Sequence, residues 1–196
     1  MADLSEQVEA ACLDGKYEDA AKLAAESGEG HDPKLALAML QTLLRNPLRD
    51  LEADSHTRER VRASIAASFL LSETYGQAGR RLLRLLGGPP PCSALVEWLR
   101  DPYGEGDIDP DDGPDPHSIA EYYCWRRLAE IDCEQSLREL IESPRVGRGI
   151  LIQAAPNAEE FRPCANGDIE TPWDRLIDLP RLPCGWGCRC GYSALI

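Results

Sequence analysis

Basic residues are in short supply, 21 Lys and Arg against 34 Asp and Glu, for a net charge of −13. A protein that grips nucleic acid or an anionic membrane surface needs a basic face, so this deficit argues against both partners. Phenylalanine is scarcer still, with two in 196 residues. The core must therefore rest on Leu, Ala and Ile, with four Trp and six Tyr as the large side chains. No long apolar run is present. The stretch from Ile65 to Leu71 is broken by Ser68 and falls far short of the roughly 20 residues a membrane helix requires. The N-terminal segment Met1 to Gln7 is acidic and lacks the basic and apolar regions of a secretory signal, which predicts a soluble cytoplasmic protein. What is present is a chain of 21.6 kDa, 43% apolar and 28% charged, enough for one ordinary domain or one domain with a small appendage. In a reducing compartment its eight Cys are thiols or metal ligands; in an exported protein the same even count allows four disulfides.

Periodicity predicts a mainly α fold of helical hairpins or an orthogonal bundle, with a small irregular Cys-rich C-terminal segment. Residues 1–100 form a helical domain. Leu4, Val8, Ala11 and Cys12 share one helix face; Asp14-Gly15 breaks the helix, and Tyr17, Ala20, Ala21 and Leu23 supply a second face. Asp32-Pro33 starts the next helix, with Asp as N-cap and Pro in the first turn. Its apolar residues Leu35 to Leu44 surround most of the circumference, which predicts a central position. Asn46-Pro47 ends it. Ser55 is the expected cap of the following helix, with Arg58 to Arg62 on its solvent side and Val61, Ile65, Phe69 and Leu70 inward. Gly76 and Gly79 read as a break before a short helix, Arg80 to Leu86, which Gly87-Gly88 and three Pro terminate. Residues 93–99 add a last short helix.

Residues 101–116 form an acidic linker or loop, with seven acids, no base, three Gly and four Pro, a composition that excludes a regular element. Asp107, Asp109, Asp111 and Asp115 have the spacing of calcium-loop ligands, but Asp112 and Ser118 stand where such a loop needs Gly and Glu. Residues 117–143 read as a helical hairpin packed on the first part, its second helix capped by Asp132 with Gln135. In the remaining residues, 144–196, Gly149 to Ala154 is the one good strand candidate.

Two resemblances bear on the helical part. Leu13 to Ala21, with Gly15 at the turn and Tyr17 two residues on, resembles the turn of tetratricopeptide-type hairpins, without a second copy at that period. Residues 34–88 place Asn46-Pro47 after an apolar helix, then a basic run, then Gly-Gln-Ala-Gly-Arg-Arg-Leu-Leu-Arg-Leu-Leu-Gly from Gly76. This order is similar to the PUB domain, a helical module of peptide N-glycanase and some ubiquitin ligases; Gly88 replaces that family's aromatic after the final Gly. The resemblance implies binding of short peptides and no catalytic residues.

The tail carries a different signal. Cys184, Cys188 and Cys190 lie within seven residues among glycines, and Cys164 precedes them; four thiolates satisfy tetrahedral zinc. The same residues also read as free thiols. Gly185-Trp186-Gly187-Cys188 looks like the nucleophile segment of cysteine peptidases that process ubiquitin-like modifiers. Such a nucleophile needs a His base, which in that family lies downstream, whereas His31, His56 and His117 all precede Cys188. Cys124 and Cys133 are simplest as small buried residues. Arg80, Arg81 and Arg84 form a basic patch, read as a solvated helix face or, beside a groove, as a reader of an acidic peptide. Tyr122, Tyr123 and Trp125 line a peptide groove or a core. The sequence thus points to a non-catalytic protein-interaction (adaptor) module binding a protein or peptide through Arg80, Arg81, Arg84, Tyr122 and Trp125. The alternatives are a zinc protein using Cys164, Cys184, Cys188 and Cys190, and a thiol enzyme using Cys188.

Overall fold

Apolar residues at helical spacing, punctuated by Gly and Pro, give seven helices among the described residues of the computed structural model. These residues are 3–28, 31–102, 104, 106, 109, 111, 113–142, 150–153, 169–171, 186 and 190–194. Helices α1 (Leu4–Leu13) and α2 (Tyr17–Glu26) form the predicted hairpin. Gly15, at φ +74°, takes the left-handed conformation that glycine enters without steric cost, and the Lys16 N–H closes the turn on the Ala11 carbonyl at 2.8 Å. Helix α3 (Pro33–Arg45) is capped as expected, the Asp32 carboxylate accepting from the N–H groups of Lys34 and Leu35 at 3.0 and 3.1 Å.

The central helix is α4 (Ser55–Leu70), not α3. Every residue from Ala63 to Leu70 is buried, because Ala63, Ser64, Ala66, Ala67 and Ser68 are small enough to admit neighbours on all sides. Helix α3 buries one stripe, Ala36, Met39, Leu40 and Leu43, and leaves Leu35 exposed. The cap of α4 is Asp54, which accepts from the Thr57 N–H at 2.7 Å; Ser55 is the first helical residue. Arg58 and Arg62 do not point to bulk solvent. Arg58 donates to the carbonyls of Pro47, Leu48, Leu51 and Ala53 at 2.8–3.2 Å. Arg62 donates to the Asn46 carbonyl at 2.8 Å. Together they hold the α3–α4 loop, in which buried Leu48 adopts φ +48°.

Gly76 and Gly79 lie inside α5 (Tyr75–Leu86) rather than at a break. The helix starts earlier because Thr74 and Gln77 form a reciprocal capping box. Gly79 is where α5 meets α7 (Pro116–Glu142): a Cβ there would lie 3.0 Å from both Cα and N of Glu121. Exposed-helix propensity favours Ala over Gly by about 1 kcal/mol, but here the added methyl meets backbone. Gly79→Ala is expected to destabilise the fold by about 1–3 kcal/mol, read by urea denaturation; equal or greater stability would refute the close approach.

Helix α6 (Ser93–Arg100) ends before the acidic segment. No regular element forms among the described residues between α6 and α7, but Asp115 caps α7, accepting from the N–H groups of His117 and Ser118 at 2.8 and 3.0 Å. Helix α7 is one continuous helix of 27 residues, not a hairpin. Asp132 satisfies a cap pattern, yet no Gly or Pro lies nearby to break the helix, and Leu128 and Ile131 continue its buried stripe. Among the described residues three short strands follow: β1 (Ile150–Gln153), β2 (Ile169–Thr171) and β3 (Gly191–Ala194). They pair antiparallel in the order β2-β1-β3. The strand expected at Gly149 to Ala154 is the middle one; its two partners were not legible because each is only three or four residues long. Trp186 joins the main core, its ring 5.6 Å from that of Tyr123 and 5.1 Å from the Arg126 guanidinium.

Candidate functional site

A groove of about 450 Å³ opens where the end of α4, the α4–α5 turn and the middle of α7 meet the chain entering α3. Ser68 and Phe69 come from α4, Ser72, Glu73 and Thr74 from the turn, Tyr75 from the start of α5, Leu128 and Asp132 from α7, and His31 from the approach to α3. The local sequence explains the turn. The Ser72 N–H donates to the Phe69 carbonyl and the Glu73 N–H to the Ser68 carbonyl, at 3.0 and 2.9 Å, the paired bonds of a Schellman helix end. That motif needs a left-handed residue, and Ser72 takes it at φ +51°, where glycine is usual.

The His31 ring stacks on Phe69, with centroids 5.4 Å apart and planes 15° from parallel. Tyr75 stands at the rim, 39% exposed. The fully buried Ser68 hydroxyl makes no hydrogen bond of good geometry, although it lies close enough to Glu73 to help draw that carboxyl down. Burial raises the Glu73 carboxyl, but Arg81 more than offsets this and holds it below the ordinary carboxylate range. Asp132 differs. Partial desolvation pushes its carboxyl up, and His31 pulls against that shift. No ion pair joins His31 to Asp132, so these groups share a groove without forming a hydrogen-bonded relay.

The residues singled out from the sequence are dispersed. Arg80 is exposed. Arg81 is 6% exposed, so it is no part of a solvated face: it bonds Glu73 at 3.0 Å through Nε, pairs with Glu9, and donates to Ser5 Oγ at 2.8 Å. Arg84 pairs with Glu9 from the exposed side. With Arg81 and Arg84 already matched to carboxylates, this patch does not present three free cations to an acidic peptide. Tyr122 is half-buried and packs against Trp98 at 5.5 Å, as the core reading expects. Trp125 is half-buried. Cys164, Cys184 and Cys188 lie outside the described residues, whereas Cys190 is described and buried. Among the described residues no group of three or more His, Cys, Asp or Glu is arranged to hold a metal ion. No helix among them is long and apolar enough to cross a membrane.

Of the thiols of the helical body, Cys12, Cys92 and Cys124 are buried in the core, whereas Cys133, expected to be buried as well, is only partly so because it lies off the buried stripe of α7. Burial pushes Cys12 up to about 12, against the pull of Arg81, and also raises Cys92 and Cys124. A raised thiol is a poor nucleophile at neutral pH. Sequence reasoning missed the groove because its residues come from positions 31, 68–75 and 128–132. The reading of Asp132 as the cap of a second helix also separated it from Leu128, which the continuous α7 places one turn away. In comparisons with known families, curated proteins and solved structures, no match was found.

Proposed function

We propose that this protein is a non-catalytic intracellular adaptor that binds a segment of a partner protein in the groove between α4, α5 and α7. The observation that carries this reading is the groove itself: open, about 450 Å³, and walled by Phe69, Tyr75 and Leu128 together with six polar residues, His31, Ser68, Ser72, Glu73, Thr74 and Asp132. Aromatic and apolar walls that carry placed polar groups are typical of ligand sites. The resemblance of residues 34–88 to the PUB domain supports the same reading, since that domain takes short peptides and the end of α4, the α4–α5 turn and the start of α5 together supply six of the nine residues that line the groove. The helical scaffold suits the role, because the walls sit on elements anchored by buried ion pairs.

The test is selection from a random dodecapeptide library against the full chain, followed by amide-shift mapping of the bound peptides. Shifts are expected at residues 31, 68–75 and 128–132, with at least tenfold weaker binding in Tyr75→Glu, which changes an exposed wall of the groove and not the core. Failure to recover any peptide, or peptides that map elsewhere, would overturn the reading.

A further inference from the structure

We infer that the groove selects a cationic side chain, the Arg or Lys of a bound peptide, with Asp132 as its counter-ion and the faces of Tyr75 and His31–Phe69 as its walls; this rests on the peptide-binding reading above. Charge supports the inference. Among the described residues the groove is lined by two carboxylates, Glu73 and Asp132, one imidazole, His31, and no Lys or Arg. Glu73 is already held by Arg81, so the available negative charge is that of Asp132. Among the described residues that carboxylate forms no hydrogen bond or salt bridge, and it stands on α7 one turn beyond the apolar Leu128. A cation entering from solvent would meet it without first displacing a protein partner.

The aromatic walls fit the same ligand. The exposed ring of Tyr75 carries on its face the negative quadrupole that attracts ammonium and guanidinium groups. The long aliphatic stem of Lys or Arg is suited to lie along Leu128 while its charged end reaches Asp132. An anionic side chain would face two carboxylates and no free cation. A purely apolar one would desolvate Asp132 without compensation. The net charge of −13 favours approach of a basic segment over an acidic one.

The experiment uses the library-selected peptides that map to the groove. An Arg or Lys is expected in them, and its replacement by Gln weakens binding about tenfold, as for loss of a charge-assisted hydrogen bond. Asp132→Asn is expected to weaken the parent peptide to a similar degree but to leave the Gln peptide unaffected. Exchange of Arg for Lys in the peptide then separates guanidinium from ammonium preference. Asp132 is exposed and bears no structural bond, so its variant retains the fold; Tyr75→Leu checks the aromatic wall separately and is expected to cost two- to fivefold with the Arg peptide. Groove-binding peptides without a basic residue, or independent effects of the peptide change and Asp132→Asn, would overturn the charge assignment while leaving peptide binding intact. Absence of any groove-binding peptide would remove both readings.

Discussion

Replacing Arg81 with methionine is expected to destabilise the fold by about 3–5 kcal/mol, the cost of removing one partner from a buried ion pair. The Arg81 side chain is 5% exposed and the Glu9 and Glu73 side chains 10% and 16%, so water does not replace the missing guanidinium well. One side chain here ties three parts of the chain, α1 through Ser5 and Glu9, α5 through its own backbone, and the α4–α5 turn through Glu73. The stranded carboxylates make the prediction specific. Adding Glu9→Gln and Glu73→Gln to Arg81→Met should recover part of the loss, because the uncompensated buried charge is then gone. Urea denaturation of the single and triple variants checks this, and a triple variant no more stable than Arg81→Met alone would contradict the ion-pair account.

The same cluster sets a pH dependence. Glu73 has a folded-state value below its ordinary 4.5. Its contribution is therefore fully present above about pH 4.5 and is lost as pH falls through the lower folded value. The wild-type melting temperature should decline over that acid range, and the Glu73→Gln variant should show a shallower decline. An unchanged acid slope would remove Glu73 from the account.

Arg127→Ala is the second large effect, also about 3–5 kcal/mol. The Arg127 side chain is 3% exposed. It donates to both Glu130 oxygens at 2.9 Å, pairs with Asp50 in the α3–α4 loop, and lies 5.0 Å above the Tyr123 ring. Asn46 reaches the same Glu130 at 3.0 Å, so the loop and the middle of α7 are joined twice. The loss should fall toward the lower end of the range, because Asp50 is 29% exposed and hydrates once released. Arg127→Lys should recover only part of the stability, since an ammonium lacks the planar fork whose Nη1 serves Glu130 while its Nη2 serves Asp50. A loss under about 1 kcal/mol in Arg127→Ala, the range of exposed pairs, would show that the cluster behaves as a surface pair.

Several elements were legible because their causes are local. The Asp32-Pro33 start of α3, the Asn46-Pro47 stop, the Gly15 turn and the Gly87 cap each follow from the backbone preferences of one or two residues. The apolar periodicity of α1, α2, α5 and α6 likewise needs only near neighbours. The errors have a common origin. Arg81 reads as a surface cation until Glu9, 72 positions away, and Glu73 are seen to surround it. Gly79 reads as a helix breaker until Glu121 is found against it. Asp132 reads as a helix cap until α7 is seen to run through it unbroken.

By itself the amino-acid sequence determined a mainly helical fold, the location of the acidic connection before α7, and the scarcity of cationic surface. Those properties depend on hydrogen bonding and side-chain packing within a few turns, and on charges that can be counted. Tertiary structure alone decided which helix is central, which arginines are buried, and that His31, Phe69, Tyr75 and Asp132 line one groove. These are contacts between residues distant in the chain, selected by how small and large side chains fit across helices, and no local periodicity encodes that fit.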